Sequence, residues 1–98
     1  MELLEAPAPA PYHVVFSTRL GGVSGGPYRS LNLGLLTDDD PVLVVENRLR
    51  LASSVGAGPT WLSVAWQQHG ARVERATRLG LRPHGDELPR CDGLTTDE

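Results

Sequence analysis

His69 and Gly70 close the run "VAWQQHG", in which two amides and an imidazole follow a stretch of alternating apolar residues. Polar side chains in succession are costly to bury without partners, because each unpaired group forfeits its hydrogen bonds to water. An imidazole followed by glycine suits a metal ligand or a general base, since glycine lets another group approach closely. A protein zinc site draws on three or four ligands, and His13 and His84 offer no fixed spacing to His69. His13 reads as a strand-edge residue and His84 as a solvated loop residue.

Arg19 precedes "LGGVSGG", so a guanidinium stands beside Gly21 and Gly22 in a glycine-rich stretch. Fork geometry and close backbone amides would make that a phosphate cradle. The stretch matches neither the Walker pattern nor the dinucleotide fingerprint, and on the residues alone a flexible turn flanked by a surface arginine explains it better. Asn32 in "SLNLGL" is either an amide for a ligand or a turn residue bonded to its own backbone. Cys91 reads as a small buried hydrophobe rather than a nucleophile or ligand. Of Asp38, Asp39 and Asp40, capping accounts for one and surface exposure for the rest.

These residues need elements to hold them. "APAPAP" within residues 1–11 predicts a polyproline-like arm or an edge element. "YHVVFSTR" predicts a strand buried at Val14, Val15 and Phe16, delivering Arg19 at its end. "GGVSGGPY" predicts a loop, and the alternation of Leu31, Leu33 and Leu35 a half-buried strand. A helix from about Pro41 to Val55 follows from Asp40 as N-cap, proline at the first helical position and Gly56 past the end. Val42, Val45, Leu49 and Ala52 form its apolar stripe, and Glu46 can pair with Arg50 one turn on. "TWLSVAWQQHG" predicts a strand, and "ARVERAT" its hairpin partner with Gly70 at the turn. Residues 78–90 read as a loop, and "CDGLTTDE" begins another β-like stretch. One helix among at least four strands predicts an α/β or α+β fold, with a layered mixed sheet and a flanking helix.

Ninety-eight residues hold one small domain with a modest core. All nine basic residues are arginine and the net charge is -3, which argues against a nucleic-acid partner. Codon usage explains arginine without lysine, although arginine also suits bidentate anion contacts. No apolar stretch approaches the roughly 20 residues that span a bilayer, so no membrane partner is expected. The acidic, proline-rich N-terminus lacks signal-peptide character. With a single cysteine, no internal disulfide can form, and a cytoplasmic location is expected.

"FSTRLGGVSGGPYRSLNLGL", "DDPVLVVENRLRLA", "WLSVAWQQHGARV" and "CDGLTT" occur in this order. Together they resemble the N-terminal part of the bacterial purine nucleoside phosphorylase family, formerly described as laccase-like polyphenol oxidases and also called the peptidoglycan editing factor family. The resemblance covers roughly residues 14–97. It implies an α/β fold of layered sheets and helices, of which residues 1–98 would be the N-terminal half of a single catalytic domain.

It also implies that His69 is one of three zinc ligands. The other two, a cysteine in an aspartate–cysteine pair and a histidine in an H-x-GWRG motif, are expected beyond Glu98, and Cys91 does not match either. Zinc is the implied cofactor, with copper disfavoured because a multicopper centre needs several histidines and cysteines. Arg19, Gly21, Gly22 and Asn32 become the implied substrate-side residues, with a purine nucleoside and phosphate as partners. The implied activities are phosphorolysis of purine nucleosides and deamination of adenosine, with this chain inactive alone. The alternatives are a cytoplasmic hydrolase that edits peptidoglycan precursors, and a non-catalytic module that binds a nucleoside phosphate or a partner chain. Exposed strand edges would favour self-association.

Overall fold

The computed structural model describes residues 1–58, 63–76 and 88–96. It is an α+β arrangement of two two-stranded sheets and one long helix. Strand β1, Leu3–Ala6, pairs antiparallel with β2, Val14–Ser17, in the register Leu4↔Phe16 and Ala6↔Val14. The proline-rich segment is therefore an edge strand followed by a turn, in which Tyr12 N–H donates to the Pro9 carbonyl. Proline lacks the ladder's donor, so the strand stops at Ala6, before Pro7.

The burial expected at Val14, Val15 and Phe16 is not found: Val14 and Phe16 are exposed and Val15 is only partly covered. The reason is that a two-stranded sheet has two faces and only one lies against the chain. Leu3, Glu5 and Val15 face a groove of about 540 Å³ closed on its far side by Ser54 and Val55, whereas Leu4 and Phe16 point away from it.

Helix α1, Pro41–Ser54, has the expected start. Asp40 Oδ1 accepts from Val42 N–H at 2.9 Å, and Glu46 meets Arg50 at 3.0 Å. At its end Gly56 takes φ +74°, which a side chain would resist. The buried stripe differs from the expected one. Val44, Asn47, Arg48 and Ala52 are buried, while Val42 is 62% exposed and Leu49 also faces solvent. This stripe has helical spacing too, but two of its four members are polar and so resemble a solvated face in sequence.

What α1 packs against explains those polar members. The segment expected as the strand "SLNLGL" has no strand ladder and runs irregularly, so its carbonyls have no neighbouring strand to satisfy them. The helix supplies the donors: Asn47 Nδ2 donates to the Asn32 carbonyl at 2.9 Å and Arg48 Nε to the Leu33 carbonyl at 2.8 Å. Leu31, Val44 and Ala52 are the buried apolar residues of this part.

The hairpin expected around Gly70 is replaced by a parallel arrangement. Strand β3, Val73–Arg75, pairs in parallel with β4, Gly93–Thr95, and Trp66 forms a single parallel bridge with Arg90. The strand expected over 60–70 is thus reduced to that bridge, and Trp61 and Leu62, like the loop at 78–87, lie outside the described residues. Cys91, fully buried as expected of a small hydrophobe, lies between the bridge and β4. Arg90 lies over the Trp66 ring at 4.6 Å from its centroid, adding a cation–π contact to the bridge.

Candidate functional site

Six residues, 67–72, separate Trp66 from Val73, whereas only two, 91–92, separate their partners Arg90 and Gly93. The longer strand must loop out, and His69 stands in that excursion. Its φ is +60°, a conformation uncommon outside glycine, and its side chain is exposed. Among the described residues the imidazole makes no hydrogen bond.

The excursion is held by Asp92. Its Oδ1 accepts from Gln68 N–H at 2.9 Å and His69 N–H at 2.6 Å, and its Oδ2 accepts from Gly70 N–H at 2.9 Å. Asp92 N–H in turn donates to the Arg72 carbonyl at 2.9 Å, fixing the carboxylate from the other side. Burial, the largest single influence, pushes the Asp92 carboxyl up. The three amides and the attraction of His69 outweigh it and hold the carboxyl below the usual aspartate value. Nothing near His69 in sequence announces Asp92, since 22 residues separate them and only the parallel ladder brings them together.

The second group surrounds the glycine-rich loop. The Arg19 carbonyl accepts from Ser30 N–H, Leu31 N–H and Ser30 Oγ, so the loop is closed at its base. The Arg19 side chain is exposed. Gly22 N–H donates to Ser30 Oγ, Val23 N–H to Asn47 Oδ1 at 2.8 Å, and Ser24 N–H to the Ser30 carbonyl. A Cβ at Gly22 would overlap the Ser30 carbonyl oxygen and come within 2.6 Å of Leu31 Cα, so only glycine fits. Gly21, at φ +102°, turns the chain past Met1.

Asn32 is a turn residue here. Its Oδ1 accepts from Gly34 N–H, and its Nδ2 donates to Thr37 Oγ1 at 3.0 Å and Asp39 Oδ2 at 3.2 Å. Asp39, expected to be a solvated acid, also accepts from Ser24 Oγ at 2.6 Å. That hydroxyl is the largest influence on its carboxyl; partial burial opposes it, and Asn32 and the Asp40 amide reinforce it, so the carboxyl lies below the usual aspartate value. Asp39 and Asn47 are thus the organising residues that sequence reasoning missed.

The structure therefore brings Arg19, Gly21, Gly22 and Asn32 into one hydrogen-bonded loop system on α1. His69 belongs to the other, with Asp92. No set of three histidine, cysteine, aspartate or glutamate side chains suited to a metal occurs among the described residues, and no described helix is long and apolar enough to cross a membrane.

Residues 13–98 match the family model described as multi-copper polyphenol oxidoreductase laccase. Among curated relatives, a purine nucleoside phosphorylase of Pseudomonas aeruginosa is 49% identical over 70 residues, covering 71% of this chain and 28% of its own. One from Deinococcus radiodurans is 45% identical over 88 residues, covering 90% and 34%. Among solved structures, YlmD from Geobacillus stearothermophilus superposes with a TM-score of 0.69 at 36% identity, over 84% of this chain and 32% of that one. Bacillus licheniformis YfiH gives 0.73 at 29% identity, over 88% and 34%. The chain spans about a third of the length of the relatives it matches, rather than the half expected.

Proposed function

This chain belongs to the multi-copper polyphenol oxidoreductase laccase family, and on that footing we propose that it forms the N-terminal part of a zinc-dependent purine nucleoside phosphorylase domain that also deaminates adenosine. The observation that carries the reading is His69: an exposed imidazole without a hydrogen-bond partner among the described residues, presented on a looped-out turn in a chain whose relatives are named purine nucleoside phosphorylases. An imidazole so placed fits one coordination position, and the remaining ligands come from residues outside this chain.

Bound zinc would supply Lewis acidity toward a water or a substrate oxygen. Residues of this chain do the rest. His69 holds its position because its backbone is tied to Asp92. The Arg19 guanidinium, free to reorient at the loop surface, binds substrate phosphate, with Gly21 and Gly22 allowing close approach of the backbone. Asn32 keeps that loop in shape, since its amide is already committed to Thr37, Asp39 and Gly34. A single imidazole makes a weak and unselective metal site, so the 98 residues alone are inactive.

The test uses the full-length polypeptide carrying this segment, with inosine or adenosine and inorganic phosphate, followed by chromatography of the products. Phosphate-dependent release of free base is expected, with ammonia formed from adenosine. His69→Ala is expected to lower turnover at least 100-fold and to release zinc, whereas Arg19→Ala raises the KM for phosphate. Turnover that survives His69→Ala unchanged would exclude the reading, and release of an amino acid from a peptidoglycan precursor without nucleoside turnover would replace it with the hydrolase.

A further inference from the structure

The reading of His69 as a metal ligand leaves open what makes its exposed turn rigid enough to present an imidazole in one direction. Gln68, His69 and Gly70 are all exposed, the excursion has no ladder of its own, and φ +60° is unfavourable for histidine. A free six-residue loop would sample many conformers, and ordering it on metal binding would cost affinity.

One carboxylate removes that freedom. Asp92 accepts from three successive amides, two on Oδ1 and one on Oδ2, and its own N–H is anchored to Arg72 at the far end of the same excursion. Three converging amides form a concave anion site, a backbone nest, here filled from within the chain. The next residue, Gly93, begins β4 and pairs with Val73, so Asp92 stands immediately before the ladder, and its N–H and that of Gly93 both donate to the Arg72 carbonyl.

We propose that Asp92 is the positioning residue for His69: it clamps residues 68–70 in the left-handed turn and thereby presets the direction of the imidazole. It acts through the backbone and touches neither metal nor substrate. This inference rests on the proposal that His69 is a ligand. It resembles the outer partners of metal-bound histidines, but holds the ligand by its main chain instead of its ring.

The test compares Asp92→Ala and Asp92→Asn with the wild type in the full-length polypeptide, using hydrogen exchange of peptides spanning 66–72 and zinc affinity measured against a chromophoric chelator. Asp92→Ala is expected to lose protection at three amides of that peptide, with α1 unchanged, and to raise the zinc Kd about 10-fold or more. Asp92→Asn keeps the oxygen that serves Gln68 and His69 but turns a donor toward Gly70 N–H, so an intermediate effect on both readouts is expected. Unchanged exchange in Asp92→Ala would overturn the proposal. So would an unchanged zinc Kd in Asp92→Ala when His69→Ala abolishes binding. If His69→Ala binds zinc as the wild type does, the ligand reading fails instead, and exchange at 68–70 alone decides whether Asp92 holds the turn.

Discussion

Asn47 shows how a single polar side chain can organise a fold. It is fully buried, accepts from Val23 N–H, and donates to Ser24 Oγ and the Asn32 carbonyl. Asn47→Ala would leave Val23 N–H and the Asn32 carbonyl without their partner, while Ser24 Oγ keeps its bond to Asp39, so a loss of about 3 kcal/mol is expected in chemical denaturation. Gly22→Ala should cost about 3 kcal/mol by a different route, the overlap of its new methyl with the Ser30 carbonyl. Asp39 adds a pH dependence of known sign. Its carboxyl lies below the unfolded value, so its contribution is complete above that value and is lost as pH falls through the lower folded one. A carboxyl carbon titration by NMR should therefore show Asp39 ionised down to pH values below about 4, where an unperturbed aspartate would already be half protonated. None of these three roles was legible locally, because each depends on partners 7 to 25 residues away.

Helix α1 was the most legible element. Its start follows from Asp40 and Pro41, whose effects are local and need no tertiary partner. Asp40→Ala is expected to lower stability by about 1 kcal/mol, while Glu46→Ala, which removes an exposed pair at 3.0 Å, should cost no more than about 0.5 kcal/mol. Two-state unfolding curves would separate the two. The face that α1 buries was not legible, since an irregular segment demanding donors turned Asn47 and Arg48 inward. The strands were harder still. Aromatic and β-branched composition located the strand at Val14–Ser17 but not which of its faces would be covered, and Gly70 suggested a hairpin where a parallel partner 20 residues on was used.

The described residues form two short sheets and a small core, with Leu4, Tyr12 and Phe16 each more than half exposed. Two-stranded sheets are marginal alone and leave backbone edges unpaired. The 98-residue chain by itself is therefore expected to associate with rising concentration in sedimentation velocity, and Phe16→Ser to reduce that association. Monomeric behaviour across the range would show that the exposed face and edges are tolerated.

By itself the sequence determined the α+β class, the helix and its cap, the family through its ordered motifs, and His69 at a turn. These rest on local spacing, capping and residue order, which act over a few positions of the chain. Only the tertiary structure decided that Asp92 clamps His69, that Asn47 holds the glycine loop, and that β3 pairs with β4. Hydrogen-bond acceptors and strand partners are chosen by proximity in space, and a contact across 20 or more residues leaves no periodic trace in the segments it joins.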